Sequence, residues 1–546
     1  MSGEPLLVTT FLDRARDHAP EREVVDYVDG TCVRRSTYRE YDARVRRLAG
    51  ALVALGVSPG DRVATLAGNH HRHLELYLAV PLAGAVLHTV NLRLGPHEIA
   101  YVVDHAQDSV LLLDAALRPA AAPARAARPD MRVVVLDGEP EPGELAYEEL
   151  VAGGDPLDGP PRRDENDLAA LCYTTGTTGA PKGVGYSHKA LYLHTMAAGL
   201  ADGHAISRRD RVVHLVAMFH ANAWGVPLAA LMVGADQILP GPAPRVADVA
   251  TIIERERATY LGMVPTLAVD LVAHVRRTGA DLHSLRALVL GGSTPGGELI
   301  RAIEEDLGVP AFQGWGMTET SPMATFSRPE PDAAPEERYA EIRTQGRLLP
   351  GLAWRLVAED GTPVPHDGVS RGELLLRGPW VASSYYRGDR PEAFSDGWLH
   401  TGDVATIDPA GRLRIVDRVK DLIKSGGEWI SSLALEAALL EVPGVADVAV
   451  VGIPHERWQE RPVAVVVPDP DTPDGVDAPA VLAALEGRVP RWWCPDRVEI
   501  VDALPRTSVG KVDKRRLREA LGEVGSLGGS HKPSAAAGSR DGVGRS

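Results

Sequence analysis

The sequence predicts an α/β protein built from several compact units, and three observations support this fold class. Before about residue 140, apolar-periodic segments such as Tyr41 to Leu55 alternate with short strand-like runs such as Arg62 to Leu66. Such alternation of helix and strand is typical of layered α/β folds. A second region of this kind contains the strand-like run "RALVLGG" from Arg286 to Gly292. From Gly372 onward, "GELLLRG" and "GRLRIVDR" alternate as antiparallel strands do, and "VADVAVVGIP" marks a smaller unit beyond Lys420.

The connections between these regions are predicted from their composition. The stretch from Gly138 to Asp167 is rich in proline, glycine and acidic residues, and "SRPEPDAAPEER", which begins at Ser327, has the same character. Both predict surface connections. The last residues, from Gly525 onward, are rich in glycine, serine and alanine, so we expect them to be disordered.

Composition and charge limit the classes of function. The chain has 546 residues, 44% of them hydrophobic, and a formal net charge of -16, which argues against non-specific binding of nucleic acid. The three cysteines, at positions 32, 172 and 494, are too far apart in sequence to suggest a disulfide framework or a zinc site. The most apolar window, Leu76 to Leu87, is too short to span a bilayer, and the N-terminus lacks the apolar core of a secretory signal. We therefore expect a cytoplasmic protein with no membrane span.

The stretch "TTGTTGAPKG", from Thr174 to Gly183, predicts a phosphate-binding loop. Four hydroxyls, three glycines and one lysine follow an apolar strand-like run, Leu168 to Tyr173. Backbone amides, hydroxyls and an ammonium directed at one point suit the oxygens of a polyphosphate. The spacing differs from that of a Walker A loop, because Lys182 precedes a glycine and is not followed by serine or threonine. The predicted phosphate ligands are Thr174, Thr175, Gly176, Thr177, Thr178, Gly179 and Lys182.

This loop resembles that of the acyl-adenylate-forming, or AMP-binding, superfamily, which includes acyl-CoA synthetases, luciferases and the adenylation domains of peptide synthetases. Gly60 to Asn91 is similar to the fatty-acyl-CoA ligase branch, and the resemblance covers nearly the whole chain except its tail. Five further motifs follow in the order of the family: "AMFHANAWG", "GWGMTETSP", "WLHTGDVA", "RVKDLIKSGGEWISS" and "LPRTSVGKVDKRRLR".

The resemblance implies a particular domain organisation. Residues 1–419 would form an N-terminal portion of two α/β subdomains plus a β-barrel-like subdomain. Residues 420–522 would form a small, mobile α+β C-terminal domain hinged at Lys420, and residues 523–546 a disordered tail. The active site would lie in the cleft between the two parts.

The resemblance also implies two half-reactions. A carboxylate attacks the α-phosphorus of ATP to give acyl-AMP and pyrophosphate, and the thiol of coenzyme A then displaces AMP. We therefore expect an ATP-dependent, AMP-forming ligase for a fatty or aromatic acid. Its cofactors would be ATP and Mg²⁺, with coenzyme A as co-substrate, and it would act as a monomer or homodimer.

The motifs assign residues to the nucleotide. A carboxylate close to phosphates needs a cation between them, so Glu319, with Thr174, is the predicted Mg²⁺ site. By resemblance, Asp403 accepts hydrogen bonds from the ribose hydroxyls, and Arg418 reaches the ribose or a phosphate. The residues expected by resemblance around the adenine and the adjoining part of the nucleotide are Gly291, Gly292, Ser293, Gly314, Trp315, Gly316, Met317 and Thr318.

Three lysines are assigned to the catalytic cycle. Lys511, in "TSVGKVDK", would supply a mobile cation to the phosphorus during adenylation. In similar enzymes, rotation at the position of Lys420 would withdraw Lys511 and bring Lys424 to the site for the second step. The adjacent Gly426 and Gly427 would let a narrow pantetheine arm pass close to backbone.

Two further groups of residues complete the prediction. His220 and Trp224, in "FHANAWG", are predicted to line the pocket of the acid substrate. Three histidines within "NHHRH", at positions 70, 71 and 73, lack the i, i+4 spacing of a helical metal pair, so we expect them to be structural.

One departure from the family keeps a second function open. Gln459 lies where close relatives usually place glycine, and its long amide would narrow the path of the thiol. The alternative is an AMP-forming ligase with another acceptor, such as a carrier-protein acyl ligase or a nitrite-activating arylamine diazotase. A non-catalytic ATP-binding relative is disfavoured, because Lys182, Glu319, Asp403 and Lys511 are all present.

Overall fold

The computed structural model describes residues 3–162, 164–174, 180–426, 428–469, 476–506 and 512–527. The internal contacts divide the chain into two units, Met1–Val419 and Lys420–Ser546. These are called the N-terminal unit and the C-terminal unit below.

The N-terminal unit alternates helices and strands along most of its length. Its helices are α1 Thr10–His18, α2 Tyr38–Ala54, α3 His71–Leu82, α4 Pro96–Ala106, α5 Arg118–Ala127, α6 Tyr147–Gly153, α7 His188–Gly199, α8 Val226–Val233, α9 Val246–Glu256, α10 Pro265–Thr278, α11 Gly297–Glu305 and α12 Pro335–Ile342. Its strands are β1 Glu23–Val28, β2 Thr31–Thr37, β3 Arg62–Leu66, β4 Val86–Thr89, β5 Asp108–Leu113, β6 Arg132–Val135, β7 Glu144–Ala146, β8 Leu168–Thr174, β9 Lys182–Ser187, β10 Arg211–Val213, β11 Asp236–Leu239, β12 Tyr260–Met263, β13 Ala287–Leu290, β14 Ala311–Gly316, β15 Met323–Ser327, β16 Arg347–Leu348, β17 Ala353–Val357, β18 Gly372–Arg377, β19 Phe394–Ser395, β20 Trp398–Ile407 and β21 Leu413–Arg418.

The first sheet has seven strands in the order β7-β6-β5-β3-β4-β8-β9. Its strands are parallel except β9, which pairs antiparallel with β8. Side chains alternate between its faces, so that Val63 packs in a core with α2 and α3, while Ala64 packs with α4 and α5. Both faces are thereby covered, as a parallel sheet requires.

The second sheet has nine strands in the order β16-β15-β14-β13-β12-β10-β11-β1-β2. The six strands from β14 to β1 are parallel, whereas β15, β16 and β2 join antiparallel at the ends. Helices α9, α10 and α11 contribute to the core on one face, with Leu261 and Leu288 of the sheet. On the opposite face, Tyr260 and Val289 pack in a second core that includes Trp224.

A third, antiparallel sheet joins β17, β18, β20 and β19, with β21 paired to β20. Its core contains Leu356, Leu374, Leu376, Ile407 and Leu413. The predicted large α/β N-terminal portion is confirmed, and this third sheet lies where the β-barrel-like subdomain was predicted.

The C-terminal unit is a small α+β domain. Its strands are β22 Ile423–Ser425, β23 Glu428–Ile430, β24 Val445–His455, β25 Gln459–Pro468 and β26 Arg497–Ile500. Its helices are α13 Ser432–Leu440, α14 Ala478–Ala484 and α15 Lys514–Leu527. The sheet order is β23-β22-β25-β24, with β26 parallel to β25.

Three sequence predictions of irregular structure need correction. The predicted connection from Gly138 to Asp167 contains β7 and α6, because Tyr147 and Val151 lie one helical turn apart and are both buried. Helix α12 begins inside the second predicted loop, with Pro335 in its first turn. Helix α15 continues to Leu527, whereas the disordered tail was predicted to begin at residue 523.

The sequence predicted no membrane-spanning segment. Within the described ranges, none of the helices combines the length and the apolar character needed to cross a bilayer. The most apolar window of the sequence is instead divided between α3 and β4.

Candidate active site

The predicted phosphate loop connects the two antiparallel strands β8 and β9. Thr174 ends β8, Lys182 begins β9, and the two residues are paired across the strands. The Lys182 ammonium lies 5.2 Å from the centre of the Tyr385 ring. Burial, followed by repulsion from Arg390, lowers the pKa of Lys182. An anionic ligand beside this lysine would therefore raise its pKa and favour its charged form. The predicted phosphate ligands that lie outside the described residues are Thr175, Gly176, Thr177, Thr178 and Gly179.

The segment from Tyr385 to Arg390, called the strap below, lies against this hairpin. A side chain at Gly183 would place its Cβ 2.9 Å from Tyr386, so the two backbones approach closely. The strap also reaches His105, whose Nε2 lies 3.6 Å from the carboxylate of Asp389. The other ring nitrogen of His105 is hydrogen-bonded at 2.7 Å to the hydroxyl of Tyr173, the residue before Thr174. The strap therefore supports the two strands that flank the predicted phosphate loop.

Glu319 lies in a short 3₁₀ turn, Thr318–Thr320, that follows β14. Its side chain is buried, and its Oε1 accepts a hydrogen bond of 2.5 Å from the Tyr385 hydroxyl. Burial and the neighbouring carboxylate raise the pKa of Tyr385, so this hydroxyl remains a donor. The turn is further fixed by Tyr186, whose hydroxyl donates to the carbonyl of Thr318 at 2.7 Å.

These oxygen atoms fit the predicted Mg²⁺. Glu319 and Thr174 offer a carboxylate and a hydroxyl, and Mg²⁺ is usually bound by one or two carboxylates together with substrate phosphates. No cluster of three or more histidine, cysteine, aspartate or glutamate side chains suited to a metal occurs among the described residues. The donor set therefore suits a metal that arrives with a nucleotide better than a closed protein cage.

The residues predicted around the adenine meet at one edge of the nine-stranded sheet. Strands β13 and β14 are parallel neighbours, so Gly291–Ser293 after β13 and Gly314–Gly316 at the end of β14 share the carboxyl edge. Ligands of open α/β sheets bind at this edge. Gly316 allows a close backbone approach, since a Cβ there would lie 1.8 Å from the carbonyl oxygen of Pro322. Met317 and Thr318 follow directly and lead into the Glu319 turn.

Asp403 and Arg418 face each other across β20 and β21. The two residues are register partners, and the Arg418 Nε lies 2.7 Å from the Asp403 Oδ1. Asp403 is 1% exposed, whereas the Arg418 side chain is 39% exposed. Asp403, the predicted ribose acceptor, thus forms an ion pair with Arg418, which was predicted to reach the same ribose or a phosphate.

Trp224 is held by an unusual stretch of backbone. Ala221, Asn222, Ala223 and Trp224 all have φ between 44° and 59°, and Gly225 follows at 74°. Left-handed backbone costs about 1–2 kcal/mol for each residue with a Cβ. The surrounding contacts must therefore hold this turn, and one of them is a hydrogen bond of 3.2 Å from the Cys172 thiol to the Asn222 side chain.

The left-handed turn places the Trp224 indole over two glycines. A Cβ on Gly291 would lie 2.6 Å from the ring, and one on Gly262 would lie 3.6 Å from it. Both glycines belong to the sheet edge that carries the adenine residues. Trp224 therefore forms a buried apolar wall at this edge, and the half-buried His220 begins the same segment. A separate apolar cavity of only about 10 Å³ lies on the opposite face of the sheet between α9 and α10.

The described residues predicted for the second step lie close together in the C-terminal unit. The Lys424 ammonium lies 4.3 Å from the Trp429 ring centre. Gly426, with φ of 62°, lies against the ring of Trp458, where a Cβ would be only 2.8 Å away. Gln459 is exposed, has φ of 69° and pairs with Ser425.

Three other residues were predicted to take part in the catalytic cycle. Gly427 and Lys511 lie outside the described residues, so their roles stay predictions. Lys420 is the first residue of the C-terminal unit, and its carbonyl accepts a hydrogen bond of 3.3 Å from Arg518. The left-handed φ of Gln459 suits the glycine that the sequence analysis expected there, because glycine adopts such backbone without a steric penalty.

Tyr385 was missed by the sequence analysis, although it contacts both Lys182 and Glu319. The available signal was the tandem tyrosine in "SSYYRGDR". Of the three histidines predicted to be structural, His70 caps α3 by accepting from the amide of His73 at 3.2 Å.

Two family models match the chain. The model described as AMP-binding enzyme matches residues 12–386. The model described as AMP-binding enzyme C-terminal domain matches residues 434–511.

Several curated proteins are similar over almost their whole length. A long-chain-fatty-acid–CoA ligase from Thermus thermophilus is 46% identical, covering 95% of this chain and 96% of that protein. A medium-chain-fatty-acid–CoA ligase from Ectopseudomonas oleovorans is 40% identical, covering 96% of this chain and 97% of that protein. A 3-methylmercaptopropionyl-CoA ligase from Ruegeria lacuscaerulensis is 41% identical, covering 95% and 98%.

Solved structures with similar folds include two classes of ligase. The anthranilate CoA ligase AuaEII, in complex with anthranoyl-AMP, has a TM-score of 0.85 at 26% identity, covering 96% of this chain and 99% of that chain. The amide bond synthetase McbA from Marinactinospora thermotolerans has a TM-score of 0.81 at 27% identity, covering 94% and 99%.

Proposed function

Because the chain belongs to the AMP-binding enzyme family, we propose that it activates a carboxylic acid as an acyl-adenylate and passes the acyl group to coenzyme A. The sequence prediction of an ATP-dependent, AMP-forming acyl-CoA ligase is confirmed by the ligases that are 40–46% identical to it. The observation that carries the assignment of the site is the meeting of Lys182 and Glu319 on Tyr385, at the end of the Thr174 hairpin.

In the first half-reaction, the phosphate loop binds the polyphosphate of ATP, with the Lys182 ammonium as its cation. Mg²⁺, bound through Glu319 and Thr174, would neutralise phosphate charge and orient the leaving pyrophosphate. Asp403 accepts from the ribose, and the glycine-lined ends of β13 and β14 border the adenine. Lys511 supplies positive charge as the acid carboxylate attacks the α-phosphorus.

The acid substrate contacts His220 and Trp224. The indole lies over Gly262 and Gly291 and offers an apolar, aromatic wall, which suits a fatty or aromatic acid. Two of the similar ligases are named for long-chain and medium-chain fatty acids and one solved structure for anthranilate, which supports the same substrate class.

In the second half-reaction, Lys424, Gly426 and Gly427 form the site of thiol attack, after a rotation at Lys420. The exposed, left-handed Gln459 follows Trp458, which packs on Gly426. An amine acceptor in place of coenzyme A is the second candidate, since the amide bond synthetase has a similar fold. Gln459 also favours it, because its long side chain would narrow the path of the thiol. The relatives named as CoA ligases cover nearly the whole chain at higher identity, so coenzyme A is the favoured acceptor.

The test is a pyrophosphate-release screen over fatty acids, aryl acids and nitrite, each with and without coenzyme A. We expect release with at least one apolar acid and a thioester product when coenzyme A is present. A turnover that ignores coenzyme A but requires an amine would favour the second candidate. The absence of both pyrophosphate exchange and binding of Mg²⁺–ATP would refute the proposal.

Matched lysine variants link this activity to the proposed site. Lys182→Ala is expected to lose pyrophosphate release. Lys189→Ala, on α7, is the control, because its ammonium pairs at 2.7 Å with Glu165 rather than with the phosphate loop. Equal activities of the two variants would contradict the role of Lys182.

We also propose that the enzyme works in the cytoplasm as a monomer or homodimer. Size-exclusion chromatography with light scattering measures the oligomeric state directly. Fractionation of the native host tests the location.

A further inference from the structure

One tyrosine contacts both charged side chains of the proposed polyphosphate site. The Tyr385 hydroxyl donates to Glu319 Oε1 at 2.5 Å, and its ring centre lies 5.2 Å from the Lys182 ammonium. We propose that Tyr385 is a positioning residue that sets the Glu319 carboxylate for the metal and the Lys182 ammonium for the polyphosphate. This inference rests on the proposed function.

The hydroxyl determines how Glu319 presents its carboxylate. A charged acceptor makes a strong hydrogen bond, and the short distance restricts rotation of the carboxylate. Because the bond is made to one oxygen, Oε1, the carboxylate is oriented while Oε2 remains the natural oxygen for a cation. A hard divalent cation gains from such a pre-oriented oxygen, as its ligands must meet a defined geometry.

The ring of Tyr385 attracts the Lys182 ammonium through a cation–π interaction. An ammonium within about 6 Å of an aromatic centre is attracted by the π-face, and this attraction is stronger at a partly desolvated site. Lys182 is half-buried, and repulsion from Arg390 opposes its charge there. The ring thus favours one position of the ammonium, beside the strand pair that carries the phosphate loop.

Tyr385 is itself rigidly held, as a positioning residue must be. Its side chain is 7% exposed and packs edge-to-face on Phe394, with ring centres 5.2 Å apart. Before it in the chain, the amide of Ala382 donates to the carbonyl of Glu319 at 2.8 Å. After it, the rest of the strap contacts Gly183 and His105. The tyrosine is therefore fixed on both sides of the pair that it contacts.

The test compares two tyrosines that are adjacent in sequence. Tyr385→Phe removes the hydroxyl but keeps the ring, and Tyr386→Phe is the matched control, because its hydroxyl contacts neither Glu319 nor Lys182. The probes are Mn²⁺, followed by electron paramagnetic resonance in the presence of α,β-methylene-ATP, and Mg²⁺ titrations of pyrophosphate exchange. We expect Tyr385→Phe to weaken Mn²⁺ binding about 10-fold or more, with KM for the acid unchanged. Tyr386→Phe should bind Mn²⁺ as the wild type does.

A second variant separates the ring from the hydroxyl. Tyr385→Leu should also weaken binding of α,β-methylene-ATP measured without metal, whereas Tyr385→Phe should not. Thermal melts show whether each variant is folded. If Tyr385→Leu does not fold, the comparison of Tyr385→Phe with Tyr386→Phe still decides the test. Wild-type affinities for Mn²⁺ in Tyr385→Phe would overturn the inference. If the wild type itself neither binds Mn²⁺–nucleotide nor exchanges pyrophosphate, the proposed function fails instead.

Discussion

The pairing of Asp403 with Arg418 leads to a prediction about the ribose of ATP. In Asp403→Asn the side chain keeps its shape but loses its charge, and one carboxylate oxygen becomes an NH₂ donor. Asp403 is almost fully buried and is joined to Arg418 by the 2.7 Å contact. A ribose hydroxyl that donates to this carboxylate would therefore lose a hydrogen bond to a charged acceptor.

The size of the effect follows from that bond. A hydrogen bond to a charged group contributes about 1.5–3 kcal/mol, which is about 10- to 150-fold in kcat/KM. The wild type should prefer ATP over 2′-deoxy-ATP or 3′-deoxy-ATP by such a factor, whereas Asp403→Asn should nearly lose the preference. The assay is pyrophosphate exchange with each nucleotide, read as a double-mutant cycle between the side chain and the hydroxyl.

A second Asp–Arg pair in the same hairpin serves as the control. Asp408 pairs with Arg412 at 2.7 Å near the turn between β20 and β21. Asp408→Asn should keep the wild-type preference for ribose. If Asp403→Asn discriminates between ATP and both deoxynucleotides as strongly as the wild type does, Asp403 does not bind the ribose.

Three further predictions concern adenylation, the acid pocket and pH. Lys511→Ala should lose formation of acyl-AMP yet still convert preformed acyl-AMP to thioester, and single-turnover assays of each step check this; equal loss of both steps would reject its role. Gly291→Ala should lower stability by about 1–3 kcal/mol and raise KM for the acid, because its methyl group meets Trp224, and the companion change Trp224→Leu should relieve the clash in urea melts. Burial lowers the pKa of His194 and of His204 to about 3, so the folded state excludes protons that the unfolded chain takes up below about pH 6.5. The free energy of unfolding should therefore be nearly constant above pH 7.5 and fall by about 2 kcal/mol for each histidine between pH 7.5 and 5. Replacing either histidine with a neutral residue should remove its share of this fall, and an unchanged pH slope would contradict the prediction.

The sequence was most informative where a short pattern determines local structure. The run Arg62–Leu66 coincides with β3, and the apolar stretch before the phosphate loop is β8, which ends at Thr174. Buried parallel strands are continuous apolar runs, so β3 and β8 could be predicted without knowledge of tertiary contacts. The glycines and threonines after β8 predict a ligand loop in the same way.

What the sequence could not provide depends on contacts between distant residues. Tyr385 lies far along the chain from both Lys182 and Glu319, and no spacing rule connects the three. The left-handed turn before Gly225 runs against local preference, since four successive residues with side chains adopt it. The structured segment between Gly138 and Asp167 was hidden because, among its described residues, only Glu144, Tyr147 and Val151 are buried. In each case tertiary packing outweighs local propensity.

The turn from Ala221 to Gly225 limits how this enzyme can acquire new substrates. Cβ-branched replacements are poorly compatible with such φ values, so valine, isoleucine and threonine are disfavoured at Ala223 and Trp224. Side chains without a branch at Cβ therefore remain the accessible replacements for Trp224 in the proposed acid pocket. Laboratory evolution of specificity should accordingly favour leucine, methionine or phenylalanine at position 224. A prior change of Ala223 to glycine should stabilise the turn, because glycine adopts left-handed backbone without a steric penalty.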